Sequence, residues 1–109
     1  MEPILVFANA PDEATAQRIA RALVEQRLAA CVSQFAPAVS TYRWRGAIET
    51  ASEIPLLIKT EAARYPEVEA AIRRLHPYEL PEIIAVPIEA GLQGYLTWIA
   101  AETLADDLG

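Results

Sequence analysis

The sequence predicts a mixed α+β fold in which two amphipathic helices cover one face of a sheet. Apolar, strand-like runs alternate with stripes of apolar residues at helical spacing, and prolines and glycines separate these segments. Two long strand-like runs surround Gly46, which is typical of an extended β-hairpin. A chain of 109 residues suits one core, so we expect a single domain over residues 1–109.

Strand, helix and strand follow one another in the first third of the chain. Residues 4–8 are apolar and rich in strand formers, and they predict the first strand. Asp12 is a candidate N-cap for a helix that ends near Arg27, because apolar residues recur at helical spacing between them. Residues 30–38 predict the second strand, whose pairing bends or ends at Pro37.

The middle of the chain predicts a hairpin of two long strands, residues 39–45 and residues 48–60. Alternation of side chains along a strand places Tyr42 and Trp44 on the same face of this hairpin. Pro55 has no backbone N–H to donate, so we expect it at a bulge or at the end of a ladder.

The last third of the chain predicts a helix, a strand and a further helix. Pro66 lies near the start of the first of these helices and Pro77 ends it. Residues 83–88 are nearly all apolar, so they predict a strand buried on both faces. Residues 95–104 carry apolar side chains at helical spacing, and residues 106–109 predict a frayed tail. The order β-α-β-β-α-β with a terminal helix is that of the ferredoxin-like sandwich.

Composition limits the classes of partner. The formal net charge of −6 argues against binding to nucleic acid, which requires a basic surface. No apolar run approaches the roughly 18 residues of a membrane span, so we expect no membrane partner. Cys31 is the only cysteine, which predicts a reducing, cytoplasmic location. Apolar residues make up 53% of this small chain, and we therefore expect a homo-oligomer that buries some of them.

Residues 76–82, called the connector below, join the second helix to the last strand and hold the only histidine. Prolines rigidify this segment, and Tyr78, Glu79 and Glu82 accompany His76, so we expect the connector to present a site. Because no hydroxyl or thiol has an activating context such as a GxSxG motif, we expect no enzymatic activity.

Two of the candidate residues suggest a metal site. His76 and Cys31 offer an imidazole and a thiolate, which suit copper or zinc. No HxH, CxxC or HExxH spacing strengthens this hypothesis. Two alternatives stay open: His76 bonds the last free carbonyls of its helix, and Cys31 is a buried apolar thiol.

Three further residues have two interpretations each. Lys59 follows an apolar strand, where it either meets an anion or extends its apolar stem along the surface. Tyr42 and Trp44 project on the hairpin, and we expect them at a subunit interface rather than stacked on a ligand, because such aromatic residues are enriched at interfaces.

Six short motifs are spread along nearly the whole chain: APDE from Ala10, RLAACV from Arg27, YRWRG from Tyr42, LIKT from Leu57, HPYELPEI from His76 and YLTW from Tyr95. In this order they resemble the CutA family, the divalent-cation tolerance proteins. The resemblance implies a ferredoxin-like protomer in a compact, PII-like homotrimer whose long hairpins wrap neighbouring subunits. It also implies a cytoplasmic, non-enzymatic protein that acts in tolerance of copper and other divalent cations and requires no cofactor.

The resemblance implies different roles for the candidate residues. One role is weak binding of Cu(II) or another divalent cation through His76 with help from carboxylates. Some members carry a cysteine where this chain has Ala8 and a second histidine where it has Leu75. The other role is that of a PII-like sensor or scaffold whose inter-subunit cleft binds a small organic or anionic ligand. The residues expected to line that cleft are Cys31, Lys59, Tyr78, Glu79 and Glu82. A purely structural trimer is the third interpretation.

Overall fold

The computed structural model describes residues 2–104, so the tail predicted at residues 106–109 lies outside the described residues. Strands and helices follow one another in this order: β1 (Pro3–Ala10), α1 (Glu13–Glu25), β2 (Cys31–Gln34), β3 (Ala38–Trp44), β4 (Ala47–Glu61), α2 (Tyr65–Leu75), β5 (Ile83–Pro87) and α3 (Gln93–Glu102). A short 3₁₀ helix, Ala62–Arg64, leads from β4 into α2. The predicted order β-α-β-β-α-β with a terminal helix is confirmed except that five strands form instead of four, because β2 and β3 are separate strands that pair with different parts of β4.

The strands form an antiparallel sheet in the order β2-β4-β1-β5, and β3 pairs with the outer part of β4. β1 lies inside the sheet, where Ala8 faces Leu56 of β4 on one side and Ile83 of β5 on the other. Buried side chains of β1 and β4 pack against α1 and α2 to form the core. Because β4 lies between β1 and β2, this is the split βαβ arrangement, and the predicted ferredoxin-like fold is confirmed.

Side chains and backbone conformation decide where α1 begins and ends. The carboxylate of Asp12 accepts a hydrogen bond of 2.7 Å from the backbone N–H of Thr15, as expected of an N-cap. α1 ends at Glu25, slightly before the predicted end, and Arg27 then takes the left-handed conformation with φ of 59°. A residue in this conformation commonly terminates a helix.

The register of β4 changes by one residue at Pro55. β2 pairs with β4 as far as Gln34 opposite Leu56, whereas β3 begins with Ala38 opposite Glu53. Residues 35–37 therefore face only residues 54 and 55, which is a bulge. The prediction that the proline lies at a bulge or a ladder end is confirmed.

The prediction that the last strand is buried on both faces is wrong for the protomer. Ile84 and Val86 are 56% and 42% exposed, and among the described strands β5 pairs with β1 alone. Ile83 packs against the core, so alternation places Ile84 and Val86 on the sheet face opposite α1 and α2. The apolar run is therefore an edge strand with one uncovered face.

Candidate functional site

The connector begins by capping α2. The backbone N–H of His76 donates to the carbonyl oxygen of Ile72 at 2.8 Å, and the residue itself is extended, with φ of −92° and ψ of 132°. Pro77 requires this conformation, because its ring excludes the helical region for the residue that precedes it. The chain therefore turns away from α2 at a defined point, as the sequence predicts.

The imidazole of His76 is buried and bonded to backbone at both ring nitrogens. Nε2 lies 2.7 Å from the carbonyl oxygen of Asn9, and Nδ1 accepts the backbone N–H of Tyr78 at 3.1 Å. These partners assign the neutral tautomer, with the proton on Nε2 and the lone pair of Nδ1 already in use. Neither partner is a carbonyl of α2, so these contacts differ from the alternative in which His76 bonds the last free carbonyls of its helix. Metal coordination by His76 stays a prediction, since it requires the ring to give up one of these bonds.

The two candidate metal ligands do not lie together. Cys31 faces Lys59 across the β2–β4 ladder, whereas Asn9, which holds His76, faces Pro55 on the same β4. The offset of four positions between these two residues of β4 corresponds to about 13 Å of strand. Across residues 2–104, no group of three His, Cys, Asp or Glu side chains is arranged to hold a metal ion.

Lys59 lies with Cys31 rather than with the connector. Its ammonium nitrogen is 3.3 Å from Ser33 Oγ and 3.8 Å from Cys31 Sγ, in a half-buried position on the sheet face opposite the helices. The residues predicted for one inter-subunit cleft therefore fall into two groups within a protomer. Cys31 and Lys59 form one group, and Tyr78, Glu79 and Glu82 belong to the other.

A cleft of about 770 Å³ lies between the β3–β4 hairpin and the connector, and we call it the hairpin cleft. Its lining includes three connector residues predicted as site residues and both aromatic residues predicted at an interface: Tyr78, Glu79, Glu82, Tyr42 and Trp44. The structure thus brings together five candidates that the sequence placed in two separate regions of the chain.

An ion pair forms part of the lining of the hairpin cleft. Arg45 Nη2 lies 2.7 Å from Glu79 Oε2, and the guanidinium carbon is 5.1 Å from the ring centre of Trp44. Both charged side chains are largely exposed, so the pair contributes little to the free energy of folding. Its consequence is geometric, because it connects the tip of the hairpin to the connector.

The other polar groups give the hairpin cleft a negative character. Glu82 Oε1 accepts a hydrogen bond of 3.2 Å from the side-chain amide of Asn9, and Glu53 on β4 adds a second carboxylate. Burial raises the pKa of the Tyr78 phenol, and the negative charge of Glu53 raises it further. The phenol therefore stays neutral across the physiological pH range and can donate a hydrogen bond.

Sequence reasoning missed Arg45 and Glu53 as members of this site. The hairpin register could have identified Glu53. Tyr42 faces Glu49 across the ladder, and Glu53 lies on the same face because it is an even number of residues from Glu49 along β4. The partner of Arg45 is 34 positions further along the chain, a contact that no local pattern indicates.

The sheet order, the long hairpin and the capped connector define a small ferredoxin-like protein with a cleft between its own hairpin and connector. Within residues 2–104 no helix is long and apolar enough to cross a membrane. Residues 4–102 match the family model of the CutA1 divalent ion tolerance protein. The chain belongs to this family.

Relatives show how far the similarity extends along each chain. Protein CutA of Homo sapiens is 42% identical over 104 residues, which cover 94% of this chain and 58% of the human protein. The Mus musculus protein is 45% identical over 93 residues, which cover 85% of this chain and 52% of the mouse protein. The divalent-cation tolerance protein CutA of Thermus thermophilus is 42% identical over 99 residues, with coverages of 91% and 96%. The chain thus spans little more than half the length of the two mammalian relatives and nearly all of the bacterial one.

Solved structures of this family have the same fold. CutA of Xylella fastidiosa superimposes with a TM-score of 0.91 at 51% identity and covers 94% of this chain and 99% of its own. The Archaeoglobus fulgidus structure, described as a periplasmic divalent cation tolerance protein, has a TM-score of 0.91 at 38% identity, with coverages of 94% and 99%.

Proposed function

We propose that this protein acts in divalent-cation tolerance as a non-enzymatic homotrimer that binds Cu(II) or another divalent cation weakly. The match of residues 4–102 to the CutA1 divalent ion tolerance family carries the proposal. The net charge of −6 supports it, because a negatively charged surface raises the local concentration of cations.

The proposed location is the cytoplasm. The single cysteine supports this location, since proteins of oxidising compartments usually pair their cysteines. The Archaeoglobus fulgidus relative is described as periplasmic, so the periplasm is the competing location. Cell fractionation with an antibody to this protein distinguishes the two, and recovery from a periplasmic or secreted fraction would reject the proposal.

Exposed apolar side chains support the homotrimer. Trp44 and Tyr42 are 36% and 41% exposed on the projecting hairpin, and Ile84 and Val86 lie uncovered on the sheet. Apolar surface of this extent on a small protomer is typical of a chain that assembles with copies of itself. Sedimentation equilibrium, which measures the mass in solution, is the direct test.

The proposed metal site includes His76 and a carboxylate near it. Asn9 connects His76 to Glu82, because its carbonyl oxygen bonds the imidazole and its side-chain amide bonds the carboxylate. A cation that binds the imidazole must displace a backbone hydrogen bond, and a buried group left unpaired costs about 1–3 kcal/mol. This cost predicts low affinity. Cys31, away from both groups, has at most a secondary role in the proposed site.

Calorimetric titration with Cu(II) tests the metal proposal. We expect saturable binding by the wild-type protein, loss of that binding in His76→Ala, and retention in the matched control Cys31→Ser. His76→Asn is a second variant, because its amide keeps hydrogen-bonding groups at the helix end when the alanine variant fails to fold. Wild-type protein that shows no saturable heat, or binding unchanged in both folded histidine variants, would contradict direct coordination.

A second candidate function is that of a PII-like sensor or scaffold that binds a small ligand in an inter-subunit cleft. The observation that favours it is the hairpin cleft, whose aromatic and charged lining and volume of about 770 Å³ are typical of small-molecule sites. Lys59 contributes under this proposal only where a neighbouring copy supplies it. A thermal-shift screen with metabolites of different charge classes is the test, and a melting temperature that no class changes counts against it.

A further inference from the structure

We propose that, in the homotrimer, Lys59 of each subunit forms an ion pair with Glu53 of the next subunit. This inference rests on the homotrimer proposed above and goes beyond it, because it names a charged contact to which two subunits each contribute one residue. It follows from two half-buried, opposite charges on β4 that have no charged partner within the described part of the chain.

Lys59 is the only lysine of the chain, and it has no carboxylate partner among residues 2–104. Its ammonium nitrogen contacts two uncharged groups, Ser33 Oγ at 3.3 Å and Cys31 Sγ at 3.8 Å. Glu61 lies two residues away on the same side of β4, but its carboxylate accepts the backbone N–H of Glu2 at 3.3 Å. A half-buried positive charge is therefore left without an ion pair in the protomer.

Apolar side chains surround this charge. Leu5 faces Lys59 across the β1–β4 ladder, and Phe7 and Leu57 form the next pair on the same side of the sheet. A subunit that covers this side of the sheet takes the ammonium group out of water, which opposes association unless a carboxylate compensates the charge. The proposed homotrimer therefore requires an acidic partner for Lys59.

Glu53 has the complementary charge and is isolated in the same way. Within residues 2–104 the half-buried acidic side chains are Glu53, Glu61 and Glu69. Glu61 accepts the backbone N–H of Glu2, and Glu69 accepts the hydroxyl of Tyr65 at 2.9 Å. Glu53 makes no hydrogen bond or ion pair with any residue of this range, so it is the half-buried carboxylate that remains for a neighbouring subunit.

The two charges cannot meet within one subunit. Residues 54, 56, 58 and 60 of β4 are buried, so alternation places Glu53 and Lys59 together on the other side of the strand. Six residue steps along β4 separate them by about 20 Å, which is more than the two side chains can span. Where copies of this surface meet head to tail, Glu53 of one subunit reaches Lys59 of the next, and a threefold rotation forms three identical pairs.

Zero-length cross-linking tests the pair directly, because a carbodiimide joins an amine to a carboxylate only where the two groups are in contact. Lys59 is the only lysine, so every cross-link through a side-chain amine starts from it. We expect the purified full chain to give covalent dimers and trimers on a denaturing gel, with an amide between Lys59 and Glu53 identified by peptide mass spectrometry. Cross-links from Lys59 to a different carboxylate would overturn the pair.

Exchange of the two charges assigns the partner. Lys59→Glu sets two carboxylates against each other and is expected to weaken association by at least about thirtyfold, as measured by sedimentation equilibrium. Adding Glu53→Lys restores opposite charges and is expected to recover at least about tenfold of that loss. Adding Glu13→Lys, at the start of α1 on the other side of the sheet, gives the same net charge and is expected to recover none of it.

The outcomes separate this inference from the homotrimer itself. Wild-type protein that sediments as a monomer would reject the trimer and the pair together. A wild-type trimer whose association Lys59→Glu leaves unchanged, or whose loss Glu13→Lys recovers as well as Glu53→Lys does, would overturn the pair alone. Circular dichroism of each variant verifies folding. Where Lys59→Glu does not fold, Lys59→Met keeps the apolar stem without the charge, and a methionine variant that associates as the wild type does would overturn the pair.

Discussion

At the residue scale, His76 joins three parts of the chain. Its backbone caps α2, its Nε2 bonds the end of β1 at Asn9, and its Nδ1 holds the N–H of Tyr78 in the connector. A neutral imidazole can do this because it is both a donor and an acceptor, which no purely aliphatic side chain is. The ring of His76 therefore helps to position the connector, together with the Asn9–Glu82 hydrogen bond and the Arg45–Glu79 ion pair.

Asp12 gives a pH prediction at the same scale. The hydrogen bonds from Thr15 lower the pKa of the Asp12 carboxyl below its ordinary value of 3.8. A lowered folded-state pKa means that the carboxylate stabilises the folded state fully above the unfolded-state pKa and loses this effect as the pH falls through the folded-state pKa. We expect Asp12→Asn to melt below the wild type at neutral pH, and the difference to shrink in the acid range below the ordinary value. Thermal melts across this pH range measure the difference.

Asparagine is the matched substitution here because it also caps helices but does not titrate. Asp12→Ala, which removes the cap altogether, should melt lower than the wild type at both neutral and acid pH. A difference between wild type and Asp12→Asn that stays constant from neutral to acid pH would show that the carboxylate charge has no part in the cap.

At the scale of elements, the turn and the bulge determine where the hairpin points. Arg45 and Gly46 have positive φ values of 50° and 84°, which is typical of the two-residue turn that matches the twist of a hairpin. The bulge at Pro55 shifts the register and increases the local twist, so β3 continues beside β4 at a different offset from β2. These two features bring Tyr42 and Trp44 over the connector.

Among the glycines that the structure describes, two have open space around the Cβ position, and the same substitution is expected to have opposite effects at them. Gly46 has φ of +84°, and a Cβ there would meet nothing within 4 Å, so Gly46→Ala costs only the left-handed backbone strain of about 1–2 kcal/mol. Gly94, in the first turn of α3, also has open space, and Gly94→Ala is expected to stabilise by up to about 0.5 kcal/mol. Urea unfolding of the two variants measures both values, and equal signs would contradict this account.

At the scale of the whole molecule, the protomer leaves apolar surface exposed both on the sheet and on the hairpin. The helices cover one face of the sheet, while Phe7, Ile84 and Val86 lie on the other, and the hairpin carries its own exposed aromatic residues. The chain is 53% apolar, and one small core cannot bury all of these residues, so the remainder lie on this surface. The proposed homotrimer accounts for it.

Trp44 gives the corresponding prediction. Truncating a large aromatic side chain at the centre of an interface commonly costs about 2 kcal/mol or more, so Trp44→Ala should weaken subunit association by at least about tenfold. Trp44→Phe retains a ring and should associate more strongly than the alanine variant. Sedimentation over a range of protein concentrations measures association, and a Trp44→Ala trimer as stable as the wild type would place this face outside the interface.

The sequence by itself determined the order of strands and helices, the cap at Asp12, the stop at Pro77, the hairpin turn and the bulge at Pro55. Each of these features depends on hydrophobic periodicity or on the chemistry of a few neighbouring residues, and both can be read directly from the sequence. Family membership could also be read from the sequence, because short motifs along the chain resemble the family whose model residues 4–102 match.

Only the tertiary structure decided which candidates meet. The imidazole of His76 bonds a carbonyl 67 positions away, Arg45 pairs with a carboxylate 34 positions away, and Lys59 lies with Cys31 instead of with the connector. The exposure of β5 likewise follows from its place at the edge of the sheet. Such contacts depend on strand order and register, which set the distance between segments and which no local pattern specifies.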